Sequence, residues 1–231
     1  MNRPELVTII VPVFNESATV AAVIQRLLDV PLPAGREILV VNDGSTDGTR
    51  AVLDAMAPHP AVRILHAGVN GGKGSAIRLG LAQARGAVIA IQDADLELDP
   101  AQLADLIAPI LRGEARVVYG SRFLQPASTA PWLTVFANRT LTAVTNLLYG
   151  SRITDMETCY KVMETSVARG LDLESNRFDI EPEITAKLLR QGHVIVERPV
   201  RFEPRSRAQG KKIGWRDGVR ALQVLAKYRR R

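Results

Sequence analysis

Three carboxylates stand at alternate positions of one short segment: Asp93, Asp95 and Glu97. The segment follows residues 87–92, a largely apolar run typical of a buried strand. Alternate side chains of an extended chain face the same way, so we expect these carboxylates to share one side. Adjacent carboxylates repel one another unless a cation neutralises them, and hard oxygen ligands suit Mg²⁺ or Mn²⁺. The spacing predicts a divalent-metal site that can hold diphosphate oxygens; the alternative is a solvated acidic turn before the helix at Pro100.

Two further polar segments follow apolar runs. Residues 42–49 include Asp43, whose carboxylate can accept from a nucleobase N–H or a ribose hydroxyl. The alternative is a plain turn between a strand and a helix. Residues 70–75 are rich in glycine and contain Lys73, so this loop can cradle a phosphate before a helix N-terminus. It is not a Walker A motif, because Gly74 follows Lys73 where Ser or Thr is required.

The elements that must position these residues alternate along the first half of the chain. Strands are predicted at residues 7–13, 37–41, 62–66, 87–92 and 117–120, and helices at 17–30, 46–56, 75–84 and 100–111. This order predicts an α/β fold, with a mostly parallel central sheet and helices on both faces. Ligands of such sheets bind beyond the carboxyl ends of the strands, where the polar segments are expected to meet.

Composition excludes several classes of protein. The 231 residues (25.2 kDa) are 46% hydrophobic and 23% charged, which is unlike a disordered chain, a collagen or a disulfide scaffold. The single cysteine, Cys159, cannot form an internal disulfide, so a reducing compartment is expected. No apolar run approaches the ~20 residues needed to cross a bilayer, nor does one of signal-peptide length follow the N-terminus. We expect a cytoplasmic protein, soluble or peripherally bound to a membrane.

The net charge of +6 and the pI of about 9.8 favour anionic partners. The basic excess lies in residues 198–231, where Glu203 and Asp217 are the only acids. Nucleic acid is not expected, because aromatic residues are only 5% and offer few stacking platforms. An anionic membrane surface is expected instead. Residues 132–149 are apolar with few charges, and a C-terminal helix after Trp215 ends in the basic cluster 227–231.

The motifs, in their order, resemble the family 2 glycosyltransferases with the GT-A fold, and among them the polyprenyl-phosphate (dolichol-phosphate) mannose synthase group. The resemblance runs from about residue 7 to about residue 220. The matching segments are residues 10–16, 41–49, 70–74, 93–95, 120–122, 155–161, 178–184 and 205–212. It implies one glycosyltransferase domain over residues 1–231, with a nucleotide-sugar-binding half (7–120), an acceptor-binding half (121–213) and a basic C-terminal helix and tail (214–231). Because the chain stops at Arg231, it resembles the members without transmembrane helices.

On the donor side, the resemblance implies a nucleoside pocket, a metal site and a closing loop. The nucleoside pocket is lined by Pro12, Phe14, Glu16 and Asp43, and Lys73 is a further substrate-binding residue. Asp93 and Asp95 hold Mg²⁺ or Mn²⁺ and the donor diphosphate, and Glu97, where relatives often have Gln, is a third metal ligand. A mobile loop that closes over the donor carries Arg205, Arg207 and Lys212.

On the acceptor side, the resemblance assigns the acceptor phosphate to Arg122 and Arg139. Asp155 occupies the position where other members place a general base, and the alternative is a structural role. Asp95, Arg122 and Asp155 are the expected catalytic set. A phosphate acceptor is already an anion near neutral pH, so a base is less necessary.

The activity implied is inverting transfer of a hexose from a nucleotide sugar to a polyprenyl phosphate, with mannose from GDP-mannose as the first choice. A UDP-sugar such as UDP-glucose, or another lipid acceptor, is the alternative, because Asp43 accepts from guanine and uracil alike. A nucleotidyltransferase would carry a glycine loop after the first strand, and this chain has no such loop there. An inactive relative would not need both Asp93 and Asp95. The membrane is expected to be reached directly or through a membrane-protein partner.

Overall fold

The computed structural model describes residues 6–56, 58–125, 131–204 and 215–229. The strands are β1 (Leu6–Val13), β2 (Gly35–Asp43), β3 (Val62–Ala67), β4 (Val88–Ile91), β5 (Val117–Ser121), β6 (Lys161–Glu164) and β7 (Val196–Pro199). The helices are α1 (Val20–Asp29), α2 (Thr49–Asp54), α3 (Lys73–Gln83), α4 (Leu103–Leu111, after a 3₁₀ turn at Pro100–Gln102), α5 (Trp132–Tyr149), α6 (Thr165–Gly170), α7 (Ile180–Arg190) and α8 (Trp215–Arg229). Every element predicted from the sequence is present, with ends shifted by a few residues.

The strands form one seven-stranded sheet in the order β3-β2-β1-β4-β6-β5-β7. Strand β6 runs antiparallel to both of its neighbours, and the other adjacent pairs are parallel. The predicted mostly parallel α/β fold is therefore confirmed. Strands β6 and β7 come from the proposed acceptor half, yet they continue the sheet of the proposed donor half. The division into halves stays a prediction about function.

The core lies on both faces of the sheet, as a parallel sheet covered by helices requires. Strands β1 and β2 are nearly continuous runs of buried Val, Ile and Leu. Helix α1 covers one face through Val20, Val23, Ile24 and Leu27, which recur at helical spacing and are fully buried. This packing holds the ends of the central strands in fixed positions.

The strand order reverses beside β1, which has β2 on one side and β4 on the other. Such a switch point opens a crevice at the carboxyl ends of the strands. The Ile10 carbonyl accepts from the Gln92 amide at 3.0 Å, and β4 pairs with β1 no further than Ile10. The backbone nitrogen of Pro12, two residues further along β1, points toward the same side as the Ile10 carbonyl, but β4 has already ended there. Proline is tolerated there because no strand requires its missing N–H.

A smaller core joins α5, α7 and α8 around Ile153, Met156, Ala186, Leu225 and Tyr228. The expected C-terminal helix is therefore present, and part of its apolar face is used inside the fold. None of the described helices is long and apolar enough to cross a membrane.

The basic cluster at residues 227–231 is engaged with the protein where it is described. Lys227 pairs with Glu174 at 2.7 Å, and Arg229 donates to the Leu148 carbonyl. Arg230 and Arg231 lie outside the described residues.

Candidate active site at the carboxyl edge of the sheet

The fold brings most of the predicted site residues to one edge. Phe14 and Glu16 follow β1, Asp43 ends β2, and Arg122 follows β5. The three carboxylates at residues 93–97 follow β4. Because these strands are parallel, their carboxyl ends lie together. Strand β6 runs the opposite way, so its beginning reaches the same edge and brings residues 155–161 with it.

Asp43 anchors the glycine loop. Its carboxylate is buried and accepts from the amides of Gly71 (2.9 Å) and Gly72 (2.7 Å). Gly72 has φ +97°, and a Cβ there would collide with the Asn176 carbonyl, so the turn requires glycine. The hypothesis that this loop cradles a phosphate is wrong for these two amides, because Asp43 already uses them. Contact between Asp43 and a nucleoside stays a prediction.

Lys73 lies between two carboxylates instead of facing an open loop. Its Nζ is 2.8 Å from an Asp93 oxygen and 2.9 Å from a Glu181 oxygen, and its side chain is 12% exposed. Glu181 continues the chain of charges by accepting from Lys161 Nζ at 2.5 Å. Burial opposes the charge on Lys73, but Asp93 and Glu181 more than compensate and raise the pKa of Lys73 well above its usual value. Lys73 thus holds Asp93 through an ion pair, and its contact with a substrate stays a prediction.

Lys161 and Glu181 were missed as interacting residues by the sequence analysis. Both are buried, and burial alone would raise the pKa of Glu181, yet Lys161 and Lys73 bring it below its usual value. Lys161 also donates to the carbonyls of Met156 and Thr158. Buried charges persist when they are paired and hydrogen-bonded. Both residues stand in segments that carried the resemblance, but the sequence does not show that they meet.

The acidic segment after β4 is a turn, which corrects the expectation of alternation. Strand β4 ends at Ile91, and Leu96 adopts φ +62°. The Asp95 carboxylate accepts from the Glu97 amide at 3.1 Å, whereas Asp93 faces Lys73. The three carboxylates therefore do not share a side as an extended strand would arrange them. Within the described part of the chain, no three Asp, Glu, His or Cys side chains gather in a metal-binding cluster. The metal assignments stay predictions.

The loop after β1 is tied to this acidic turn. The hydroxyl of Thr19 lies 3.0 Å from the Glu16 carboxylate and 2.7 Å from the Ala94 carbonyl. The Glu16 amide donates to the Thr49 hydroxyl at 2.8 Å. Phe14 is partly exposed beside Glu16, at the end of the strand that carries Pro12. The residues predicted to line a nucleoside pocket thus border the crevice at the switch point.

Asp155 holds Arg122 through a two-pronged ion pair. Arg122 donates from Nε at 2.7 Å and from Nη2 at 2.8 Å, and its backbone amide donates at 3.0 Å. Asp155 is fully buried. Both carboxylate oxygens accept from Arg122, as the structural alternative for Asp155 requires, and the choice between this role and a general base stays a prediction. Burial opposes the charge of Arg122, but Asp155 raises the pKa of Arg122 overall.

Arg122 and Arg139 share an aromatic platform. Their guanidinium carbons lie 5.7 and 5.4 Å from the centroid of the Phe123 ring. Arg122 also lies 5.1 Å from the centroid of Phe202, which follows β7. Cations stack on aromatic faces at such distances. Two arginines distant in sequence are thus brought to one surface, as a joint anion site requires. Arg205, Arg207 and Lys212, expected to close over the donor, lie outside the described residues.

Glu157 is a third residue whose place in the site the sequence did not reveal. Its Oε1 atom is buried and has no hydrogen-bond partner among the residues that the structure describes. Burial raises the pKa of Glu157 to about 7, with Glu181 and Asp155 adding to the shift against the opposing charges of Lys161 and Arg122. A carboxyl whose pKa is raised by burial and by neighbouring charges is typical of a functional site. Its position in the 155–161 segment was visible in the sequence, but its burial was not.

The sequence profile of the family described as "Glycosyl transferase family 2" matches residues 8–171. The chain belongs to this family. Polyprenol monophosphomannose synthase of Mycolicibacterium smegmatis is 29% identical to the glycosyltransferase over 217 residues, which cover 89% of this chain and 80% of the relative. Undecaprenyl-phosphate mannosyltransferase of Micrococcus luteus is 29% identical over 228 residues, covering 93% and 90%. The resemblance to the polyprenyl-phosphate mannose synthase group is confirmed.

A solved structure confirms the fold of the glycosyltransferase. Glucosyl-3-phosphoglycerate synthase of Mycobacterium tuberculosis, in complex with Mn²⁺, UDP-glucose and phosphoglyceric acid, superposes with a TM-score of 0.74. The match covers 97% of this chain and 80% of that one, at 18% identity. The GT-A fold expected from the motifs is therefore present. Membership of this family also decides against the nucleotidyltransferase alternative.

The site of the glycosyltransferase separates two kinds of charge along one edge. The acidic turn with Asp95 and Glu97 lies at the β4 end, near the switch point beside β1. The two arginines on Phe123 lie at the β5 end, beyond β6. The buried chain Asp93–Lys73–Glu181–Lys161 runs between elements α3, β4, β6 and α7 and fixes their relative positions. This arrangement can hold a cation-bound diphosphate and a second anion side by side.

Proposed function

We propose that this glycosyltransferase moves a hexose, with inversion, from a nucleotide sugar to a polyprenyl phosphate, and that mannose from GDP-mannose is the first candidate. The observation that carries the proposal is Arg122, clamped by Asp155 and joined by Arg139 on Phe123, at the sheet edge that also bears the acidic turn. A guanidinium has five N–H donors, and Asp155 takes one from Nε and one from Nη2, so Arg122 offers a phosphate its remaining N–H groups. Two relatives named for mannose transfer to a polyprenyl carrier support this choice of acceptor and sugar.

Asp95 and Glu97 are the residues proposed to hold Mg²⁺ or Mn²⁺. Both carry carboxylate oxygens on a partly exposed turn directly after β4. Mg²⁺ in nucleotide sites is usually bound by one or two carboxylates together with substrate phosphates, so this pair fits the ion without a third protein carboxylate. When bound, the ion neutralises the negative charge that builds on the leaving nucleoside diphosphate. Structural neighbours in complex with Mn²⁺ or Mg²⁺ support the proposal.

The protein's own residues orient the two substrates. Arg122 and Arg139 hold the acceptor phosphate so that one of its oxygens faces the anomeric carbon of the donor sugar. That oxygen forms the new bond while the bond to the diphosphate breaks, and the electron pair leaves with the nucleoside diphosphate. Direct displacement inverts the anomeric carbon. No proton must be removed from a phosphate anion, so Asp155 can serve as the anchor of Arg122.

A lipid acceptor requires the site to reach a membrane surface. Helix α5 presents an apolar outer stripe in which Trp132, Phe136 and Leu147 are 74%, 66% and 83% exposed. The same helix carries Arg139, so the stripe and the proposed phosphate site are continuous. Apolar side chains with tryptophan suit the headgroup boundary. We propose α5 as the main docking element, because Lys227 of the basic cluster is already paired with Glu174.

A screen of nucleotide sugars tests the proposed function. GDP-mannose, UDP-glucose and UDP-galacturonate are each offered with undecaprenyl phosphate and Mg²⁺ or Mn²⁺, and both nucleoside diphosphate release and glycolipid formation are measured. GDP-mannose is expected to give a β-linked mannosyl phospholipid. Transfer only from a UDP-sugar overturns the choice of donor. Nucleoside diphosphate release that does not depend on a polyprenyl phosphate overturns the choice of acceptor.

A further inference from the structure

Glu157 has a place in the site that the proposed mechanism does not use. It lies in the loop that leads into β6, two residues after Asp155, the partner of Arg122, and four residues before Lys161, the partner of Glu181. Its Oε1 atom is buried, and no described residue satisfies it. An unsatisfied buried oxygen destabilises the folded protein, because the desolvation of that atom is not compensated. A bound ligand that supplies the missing hydrogen bond would remove this penalty.

The expected ligand at this place is an anion, which limits what Glu157 can do. Arg122, the proposed anchor of the acceptor phosphate, is one of the charges that acts on Glu157. An ionised carboxylate beside a phosphate would repel it, and two acceptor-only groups cannot hydrogen-bond to each other. A protonated carboxyl is instead a donor and carries no charge. Glu157 is therefore compatible with a phosphate at Arg122 only when it holds a proton.

We propose that Glu157 binds the acceptor phosphate as a protonated carboxyl, by donating a hydrogen bond to a phosphate oxygen that does not attack the sugar. The proposal rests on the proposed function and deepens it, because it makes acceptor binding depend on a proton held by the protein. During transfer the attacking oxygen forms the bond to the sugar and the diphosphate leaves. Glu157 keeps its proton, so no further acid or base is needed.

The pH dependence follows from the charges around Glu157. Those facing it are Arg122 after β5, Asp155 in its own loop, Lys161 of β6 and Glu181 of α7. With burial they leave the pKa of the free carboxyl at about 7, so Glu157 is ionised above that pH and protonated below it. Binding of the acceptor above pH 7 must therefore take up a proton. The acceptor phosphate has its own second pKa near 6, so it is already a dianion at pH 8.

Calorimetric titration with farnesyl phosphate, a short polyprenyl phosphate, tests the proposal. At pH 8, the enthalpies in two buffers of different ionisation heat report the protons taken up. The wild-type protein is expected to take up close to one proton per ligand, and its affinity to fall about tenfold per pH unit between 7.5 and 9. Glu157→Gln keeps a hydrogen-bond donor without a titration. It is expected to take up almost no proton and to bind with constant affinity across this range.

Glu114→Gln is the matched control, because Glu114 is an exposed glutamate at the opposite end of β5. It should behave as the wild type does. Equal proton uptake by wild type and Glu157→Gln overturns the proposal. So does a Glu157→Gln protein that binds the acceptor normally but has lost kcat at every pH, since that result makes Glu157 a base. If the wild type binds farnesyl phosphate without taking up a proton, the role of Glu157 is refuted and the proposed acceptor stands. If the wild type does not bind farnesyl phosphate at all, the proposed acceptor is overturned as well.

Discussion

Replacing Asp155 by asparagine separates an anchor from a general base. The substitution keeps the shape of the side chain and removes the charge that neutralises Arg122. In the folded protein two charge-assisted hydrogen bonds, at 2.7 and 2.8 Å, lose their ionised acceptor, and the asparagine NH₂ opposes a donor with a donor. Asp155 is fully buried and the Arg122 side chain is 12% exposed, so water does not replace the lost partner. Removing one member of a buried pair costs about 3–5 kcal/mol.

Thermal unfolding and acceptor kinetics provide the assay. For a chain of this size each kcal/mol shifts Tm by roughly 2–4 °C, so Asp155→Asn should lower Tm by about 10 °C. Arg122 should also lose its fixed orientation, which raises KM for the polyprenyl phosphate while the KM for the nucleotide sugar changes little. The matched control is Glu114→Gln, which breaks a two-pronged pair with Arg112 of similar lengths, 2.6 and 2.8 Å, on the exposed surface. Its Tm should not change measurably, because solvent screens such pairs.

Two results would refute this reasoning about Asp155. One is an unchanged Tm for Asp155→Asn, since the buried pair would then carry no stability. The other is loss of kcat with an unchanged acceptor KM, since a general base fails in that way.

Three further variants test other parts of the site. Asp95→Asn should leave Tm within a few degrees of the wild type and nearly abolish transfer; wild-type activity in this variant, or in excess EDTA, contradicts the metal assignment. Arg139→Ala should raise the acceptor KM about 10–100-fold, as expected for a lost charged hydrogen bond, with Arg152→Ala, an exposed arginine, as the control. In liposome co-sedimentation, Phe136→Asp should reduce binding to anionic vesicles, and salt should weaken the binding that remains. Removal of residues 227–231 should have a smaller effect. If the truncated protein loses all binding, the basic tail and not α5 docks the protein.

The sequence by itself determined the elements of the fold and the family. Strands β1 and β2 are continuous β-branched runs, and α1 repeats apolar residues at helical spacing, so their formation depends on neighbours along the chain. The order of these elements was sufficient for a mostly parallel sheet. The polar segments after the strands located the edge that carries the site, because in parallel strands the carboxyl ends must coincide.

The sequence did not predict the residue at which a strand's alternating pattern ends. Alternation predicted that Asp93, Asp95 and Glu97 share a side, but β4 ends at Ile91 and a turn with Leu96 at φ +62° follows. Strand β6 has only four residues, Lys161–Glu164, and its antiparallel place between β4 and β5 depends on partners distant in the chain. Pairing between remote segments leaves no periodic signal in either of them.

Only the tertiary structure decided which charges meet. Asp155 pairs with Arg122 across 33 positions, and Lys73 lies between Asp93 and a glutamate of α7. Asp43 holds two loop amides that the sequence had offered to a phosphate. The unsatisfied oxygen of Glu157 likewise exists only once β6 and α7 have packed around it. The reason is physical: residue types specify what chemistry a side chain can perform, whereas burial and the neighbouring charges, which set its ionisation and its partners, arise from folding.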